Sequence, residues 1–580
     1  MPEERVLRQL VEALLFERLA TWSSERPPAH RGADKQLDWQ MGKGSYTCSG
    51  RVGAFGRVRL VPGSLRKLVQ GGPRPTSWQE VLNDVPCDAE VRSLVADELA
   101  NTVRLCSWNL EHLPALRGNR RELSYEQLEG ALHEGHPYHP CFKPRTGFSL
   151  ADHVAYGPEA GNAFNVQWLA VHRSSLAQRL PTTEPDFYRS ALGGDAWSQL
   201  ERGRERAAAP ASAYGLLPVH PWQWRQLAGS PAIAATLARR ELVVLGAEAG
   251  RYRATQSLRT LLPVAEPLRP HLKLPLAVRV SSSLRTLQAE TVRAAPALSQ
   301  WLTSLIAADP FFEQVAGALV LREYASAVYL PPHSDLQGHL AAIWREPIAV
   351  QLRPGESALP FNALFCEEHD GRPLIEAWLA EHGVVSWVER LLRATLLPLW
   401  RLLAHHGIAL EAHAQNLILV HRAGVPERLA LRDFHDSLEY VPSFLREPAK
   451  VPDFADIDER FRGAPPGRYY AMASVVGLRE LFIDCVMVFN LCELSWLLER
   501  QYGFTEFEFW RIARGVLADY GRSAWNDAER EKRLRLHAPY VNAESLFTTR
   551  LRAPADTLLQ HMVPNALYEV SEREVHARHQ

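Results

Sequence analysis

Lysine is scarce in this chain. Seven of the 65 basic residues are Lys35, Lys43, Lys67, Lys143, Lys273, Lys450 and Lys532, and the rest are arginine. A lysine inside a motif therefore carries more information than usual. An excess of one charge is also missing, with 66 acidic residues against 65 basic ones, so composition offers neither a polyanion-binding face nor an acidic solvating tail. The seven cysteines form no C-x-x-C pair, and the closest two, Cys485 and Cys492, stand seven apart in an apolar run. An odd, scattered set reads as reduced thiols of a cytoplasmic protein, not as a zinc ribbon or a disulfide framework. No uncharged apolar run nears the roughly 18–20 residues that span a bilayer, and the acidic start Met-Pro-Glu-Glu-Arg is unlike a secretory signal. A P-loop, a dinucleotide G-x-G-x-x-G and a G-x-S-x-G nucleophile elbow are all lacking.

What is present is a globular balance. The 580 residues are 46% apolar and 23% charged, enough for several packed units around a large core. Apolar spacing predicts a helix over 1–21, and another over 88–106 with Val91, Leu94, Val95, Leu99 and Val103 on one side. Short alternating runs such as 57–61 predict strands between them. A Pro-, His- and Gly-rich loop at 135–147 marks a domain edge. The middle third alternates helices with β-branched runs at 242–245, 276–280 and 348–352. The last 200 residues read as helical, interrupted by a hairpin of 417–420 and 429–431 around Ala423–Pro426. The fold class expected is α+β.

Three segments could carry chemistry. In the first, Glu411-Ala412-His413-Ala414-Gln415-Asn416 enters the hairpin and Asp433 leaves it, so the strand pair brings Asp433 beside His413 and Asn416. Glu411, Asn416 and Asp433 make a hard oxygen set suited to Mg²⁺ on nucleotide phosphates. The same layout recurs in kinase-like phosphotransferases, although no Asp stands ahead of Asn416 as a base. The competing reading is a core histidine beside a buried polar turn. In the second, Ser257-Leu258-Arg259-Thr260 and Ser281-Ser282-Ser283-Leu284-Arg285-Thr286 bracket Lys273. Hydroxyls and guanidinium forks suit phosphate or carboxylate oxygens, and Lys273 and Arg279 are expected to share one strand face. The third is the loop His136-Pro137-Tyr138-His139-Pro140-Cys141-Phe142-Lys143-Pro144-Arg145, held rigid by three prolines, which could present His136 and Lys143 to a polyanionic substrate. His220-Pro221-Trp222-Gln223 reads as a structural turn.

In this order and spacing, these segments resemble the nonribosomal-peptide-synthetase-independent siderophore synthetases of the IucA/IucC, aerobactin-synthetase-like family. The resemblance rests on the His-Pro…Lys-x-Arg-x-Gly-Phe loop, His220-Pro221-Trp222-Gln223, Ser257-x-Arg259-Thr260 with Lys273, Ser282-x-x-Arg285, and Glu411-x-His413-x-Gln415-Asn416 with Asp433. It implies a thumb–fingers–palm architecture with a kinase-like palm: a thumb-like 1–150, a fingers-like 151–370 and a palm-like, mainly helical 371–580. It further implies ATP- and Mg²⁺-dependent activation of a carboxylic acid as an acyl-adenylate, then attack by an amine or hydroxyl. Carried over by position, Ser257, Arg259, Thr260, Lys273, Gln415 and Asn416 contact ATP. Arg285 and His413 hold the acid's carboxylate and, with Lys273, serve catalysis. Ser282, His136, Lys143 and Arg353 are further substrate contacts, and Glu411, Asn416 and Asp433 ligate Mg²⁺. Position 282, Ser here, varies among Asn, Ser and Thr in the family.

The expected function is a siderophore synthetase that joins citrate or a citrate monoamide to a polyamine, hydroxamate or amino-acid-derived nucleophile, as a cytoplasmic homodimer without nucleic-acid or membrane partners. The alternatives are a kinase-like small-molecule phosphotransferase, which releases ADP instead of AMP and pyrophosphate, and a catalytically silent siderophore- or citrate-binding module.

Overall fold

A computed structural model of the chain describes residues 1–22, 34–113, 118–280, 283–331, 334–552 and 558–571. It mixes helix and sheet throughout, as the α+β expectation has it. The first helix, Pro2–Phe16, buries Val6, Leu10, Val11, Leu14 and Leu15, the residues that gave the helical period. An antiparallel sheet follows within 21–75, with Val58–Leu60 as one of its strands. The helix Ala89–His112 is longer than the sequence period indicated; Val95 and Leu99 are buried and Val91 and Val103 half-buried on the expected side, but Leu94 is not. Leu94 is 55% exposed, whereas Glu98 is buried. Glu98 is held in the interior by Arg550, which donates to it at 2.8 Å from the C-terminal part.

The middle of the chain builds an eight-stranded antiparallel sheet. Its spatial order is Leu176–Arg179, Glu323–Tyr329, Ala341–Arg345, His271–Lys273, Thr260–Pro263, Leu242–Ala254, Phe164–His172 and Tyr214–Val219. Two expectations need correction here. The run 348–352 is not a strand: Ile348–Val350 is a 3-10 turn that starts at Pro347, which removes a ladder donor. Lys273 and Arg279 do not share a strand, because the chain leaves the sheet at Leu274-Pro275. Lys273 pairs across from Thr260 in the large sheet. Arg279 belongs to a separate two-stranded hairpin, Leu276–Val280 with Ser283–Arg285.

A second, four-stranded sheet carries the hairpin expected near residue 420. Strands Leu417–Arg422 and Val425–Leu431 pair antiparallel, Gly317–Val320 joins in parallel and Ser357–Pro360 closes the other edge. Ala423 and Gly424 form the turn, with φ of +47° and +82°, the left-handed pair that a tight hairpin needs. Gly424 has a second reason to be glycine, since a Cβ there would sit 2.3 Å from the Trp378 ring.

The C-terminal part is mainly helical, but the expected hairpin is not its one interruption: Ile408–Leu410 pairs with Leu438–Tyr440, and Tyr540–Glu544 with Gln560–Pro564. Helix Val384–Trp400 runs into a π-helical turn, Arg401–His406, and Val475–Phe482, Ile483–Leu491 and Cys492–Tyr502 form one continuous helix with a π-helical middle. By length and composition this helix could cross a membrane, but it is mostly buried inside the molecule. Its Val486, Met487, Leu491 and Leu498 share a single hydrophobic cluster with Leu10 and Leu14 of the first helix and with Phe547 and Leu567 near the end. Burial of such long apolar faces is the dominant favourable term of the fold.

Candidate active site

A cavity of about 300 Å³ opens where the large sheet meets the four-stranded one, and it gathers most of the singled-out residues on one surface. Ser257 and Arg259 come from the turn between two strands of the large sheet. That turn is tight because Leu258 takes φ +65° and because Ser257 Oγ accepts from the Thr260 amide at 3.2 Å. Lys273 lies on the adjacent strand, and Arg285 ends the small hairpin. The structural reading of His220-Pro221-Trp222-Gln223 holds, with a consequence for the site. His220 caps the helix Pro221–Ala228, and Gln223 Oε1 accepts from the Ala277 amide at 2.8 Å, anchoring the hairpin that bears Arg285.

From the opposite side come Glu411, His413, Gln415, Asn416 and Asp433. The hairpin register sets Leu417 against Leu431, and Arg432 N–H donates to the Asn416 carbonyl at 3.1 Å. Asn416 Nδ2 is held by the Glu411 carbonyl at 2.9 Å, which turns its oxygen away from that bond. Asp433, at φ +64°, accepts at Oδ1 from Lys273 Nζ at 2.6 Å and from Arg345 at 3.0 Å. These cations hold its carboxyl well below the usual range. Three oxygen donors, Glu411, Asn416 Oδ1 and the second Asp433 oxygen, are the residues that could hold Mg²⁺, and their hard-oxygen chemistry fits it. Glu411 is pushed up to about 7 by burial, with Asp436 and Asp433 adding to it and Arg285 opposing. A cation there relieves that repulsion.

The anion-binding side is equally incomplete on its own. Burial and the neighbouring Arg259 push Arg285 down to about 10, and its Nε has no partner. His413 is pushed down to about 4 by burial and then by Arg285. Its Nδ1 accepts from the Gln415 amide at 3.2 Å, so the neutral ring carries its proton on Nε2, as a donor.

Comparison with known proteins decides what this arrangement belongs to. The model of the IucA / IucC family matches residues 124–366. A Bacillus anthracis protein named citryl-spermidine/3,4-dihydroxybenzoyl-citryl-spermidine:spermidine ligase is 33% identical over 98% of this chain and 94% of its own. The chain belongs to the IucA/IucC family of siderophore synthetases. The solved petrobactin biosynthesis protein AsbB of Bacillus anthracis superposes with a TM-score of 0.90, at 31% identity over 99% of this chain and 96% of that one. The aerobactin synthetase IucC of Klebsiella pneumoniae shares the fold, with a TM-score of 0.83 at 24% identity over 98% of each chain. A second family model, described as Ferric iron reductase FhuF-like transporter, matches residues 385–559. That stretch holds only Cys485 and Cys492, both buried, which is short of the four-thiolate set of an iron–sulfur cluster.

Not every expected residue of this synthetase-family site reaches the cavity. Thr260 is buried in its strand with its hydroxyl partnerless, and it does not line the wall. Arg353 is exposed on a turn away from the cavity, where Glu356 accepts from its amide. Lys143 lines the wall, but its ammonium is paired with the buried Glu159, which also takes Arg145, and is bonded to the His133 carbonyl. It is neutralised within the protein. His136 lines the cavity with Nδ1 accepting from the Tyr138 and His139 amides. Ser282 lies outside the described residues.

Several groups in or behind the site were not singled out from sequence. Arg345 closes an apolar strand, and Glu323 sits behind Lys273 and receives the amides of Phe434 and His435. Arg432 bonds Glu129 at 2.6 Å and Tyr125 at 2.8 Å, locking the helix Tyr125–Ala131 to the hairpin. Asp436, Asp484 and Glu544 also line the cavity. The run Arg432-Asp433-Phe434-His435-Asp436 was a visible signal for some of them.

Proposed function

We propose that this chain is an ATP-dependent ligase that activates a carboxylic acid of the citrate or citrate-monoamide class and joins it to an amine or hydroxyl. A carboxylate oxygen of the acid attacks the α-phosphorus of ATP, the bond to pyrophosphate breaks, and an acyl-adenylate forms. The nucleophile then attacks the acyl carbon, loses its proton, and AMP leaves. The observation that carries this reading is a single cavity with two unsatisfied faces. Arg259 and Arg285 offer positive charge to phosphate and carboxylate oxygens, while Glu411, Asn416 and the Asp433 oxygen not taken by Lys273 and Arg345 offer oxygens to a metal. Preorganised charge of this kind is the largest expected source of acceleration for a reaction whose charge builds on oxygens.

In this reading Ser257 and Arg259 bind phosphate oxygens, and Arg285 and the Nε2–H of His413 orient the acid. Lys273 and Arg345 keep Asp433 ionised and fixed. Mg²⁺, when bound, neutralises phosphate charge. The names of relatives supply the acid and amine classes: the Bacillus anthracis relative is a citryl-spermidine ligase by name. The thumb–fingers–palm division belongs to the same proposal. The kinase reading shares the hairpin and Asp433 but leaves Arg285 without a task.

The test is pyrophosphate release by purified protein with ATP and Mg²⁺, with citrate, succinate and 2-oxoglutarate supplied one at a time and hydroxylamine as acceptor. Acid-dependent pyrophosphate with a hydroxamate product is expected. ADP without pyrophosphate would transfer the protein to the phosphotransferase class.

A further inference from the structure

The helix Tyr125–Ala131 reaches both halves of the site from behind the cavity wall. Its start is fixed by the box Ser124-x-x-Gln127, in which each side chain accepts from the other residue's amide. Tyr125, Leu128 and Glu129 follow at i, i+3 and i+4 and are buried on one face. One turn apart on that face, the Tyr125 hydroxyl and the Glu129 carboxylate both accept from Arg432 Nη1, at 2.8 and 2.6 Å. Arg432 spends its Nε on the Gln415 carbonyl at 2.7 Å and its amide on the Asn416 carbonyl at 3.1 Å. The residue after it is Asp433, so the helix grips the hairpin where it enters and where it leaves.

The other end of the same helix grips the phosphate side. Carbonyls of a last turn have no amide of their own helix to take, and Glu129 and Gly130 give theirs to Gln256. The Gln256 amide donates to the Glu129 carbonyl at 3.1 Å, and its Nε2 donates to the Gly130 carbonyl at 2.8 Å. The next residue is Ser257. Direct links also cross the cavity, from Lys273 and Arg345 to Asp433, but they are made on the carboxylate that must also hold the metal. Tyr125, Glu129 and Arg432 do not line the cavity, so no ligand competes for their contacts. The Glu129–Arg432 pair is buried at both side chains. Burial of such a pair is costly in desolvation, which suits a device for geometry more than one for stability.

We propose that Glu129 is a positioning residue: through Arg432 it sets the register of the Mg²⁺ set against the phosphate-binding turn, so that metal and ATP bind cooperatively. The inference rests on the ligase reading, which gives Ser257 and Arg259 to phosphate and Glu411, Asn416 and Asp433 to Mg²⁺, and it adds a residue that touches neither ligand. Each half keeps its own binding residues without Glu129. Only the coupling between the halves needs it.

The experiment is calorimetric titration of the full chain with ATP, once in EDTA and once in saturating Mg²⁺. The ratio of the two dissociation constants measures the coupling between metal and nucleotide. The wild type should bind ATP about tenfold or more tightly with Mg²⁺. Glu129→Gln should bring that ratio close to unity, and the milder Tyr125→Phe should cut it about threefold, both with ATP affinity in EDTA unchanged. A wild-type ratio in either variant would overturn the proposal. So would equal losses of affinity in EDTA and in Mg²⁺, the mark of a general loosening, or a ratio near unity in the wild type, which needs no variant to fold. Acid-dependent exchange of pyrophosphate into ATP, measured on the wild-type protein, reports on the ligase reading alone. Exchange with a ratio that neither substitution moves removes the role of Glu129 and keeps the ligase. A ratio that falls, without exchange, does the reverse.

Discussion

Asp433 answers to two cations at once, and that double role sets what its removal does. Lys273 and Arg345 are 4% and 2% exposed at their side chains, so losing their shared carboxylate strands buried charge. Breaking such a pair costs about 3–5 kcal/mol. Asp433→Ala should therefore lower the denaturation midpoint as well as abolish ATP consumption, and Lys273→Met in the same chain should restore part of the stability but none of the turnover. Wild-type pyrophosphate release by Asp433→Ala would take it out of the metal set. Arg285 is a cleaner probe, because among the described residues it forms no ion pair with a carboxylate. Arg285→Ala should leave the melting temperature nearly unchanged and reduce kcat/KM for the acid by about 30- to 1,000-fold, the equivalent of about 2–4 kcal/mol for a lost charge-assisted contact. Initial rates across acid concentrations check this, and unchanged kinetics would place the carboxylate elsewhere.

At the scale of elements, the legible parts were those whose logic is local. The hairpin around Gly424 follows from two apolar runs and one turn, and the 3.1 Å bond between Arg432 and Asn416 follows from its register. The Ser257–Thr260 turn was likewise readable, because its hydroxyls close on amides two or three residues away. What escaped were contacts between segments 50 to 303 residues apart. Glu323 behind Lys273, Arg345 on Asp433 and Glu129 on Arg432 have no local period or spacing to betray them. The burial of Glu98 escaped for the same reason, since Arg550 reaches it from 452 residues away, whereas Lys143 was misread over a short span, its partner Glu159 lying 16 residues on. The hairpin also yields a prediction. Gly424→Ala forces a side chain into a left-handed residue and against Trp378, a strain of about 1–3 kcal/mol. The pairings between the turn and Leu417–Leu431 remain. Urea denaturation should thus show a lower midpoint, while kcat/KM of the folded enzyme stays within a few-fold. A collapse of activity at unchanged stability would mean that the turn itself reaches the site.

For the molecule as a whole, composition could not reveal how the 22 histidines are housed, and their housing sets the response to acid. His139, His413, His421 and His561 are pushed down to about 4 and His153, His220 and His405 to about 3, each by burial first. A histidine with a depressed folded value stabilises the fold fully above its unfolded value near 6.5. That contribution drains away as pH falls towards the folded value, because the unfolded chain takes up protons that the native state refuses. The opposite pull comes from Glu248, Glu411, Glu439 and Glu544, pushed up to about 7 by burial. Between pH 7 and 4.5 they hold protons in the folded chain that the unfolded chain releases, and so favour folding as pH drops. His133, His136, His271, His339 and His537 are also held down, and Glu17, Glu480 and Asp484 are also held up, each by burial first; twelve histidines thus outnumber seven carboxylates, so the melting temperature should fall steadily from pH 7 to pH 5. Differential scanning calorimetry across that range checks the sign.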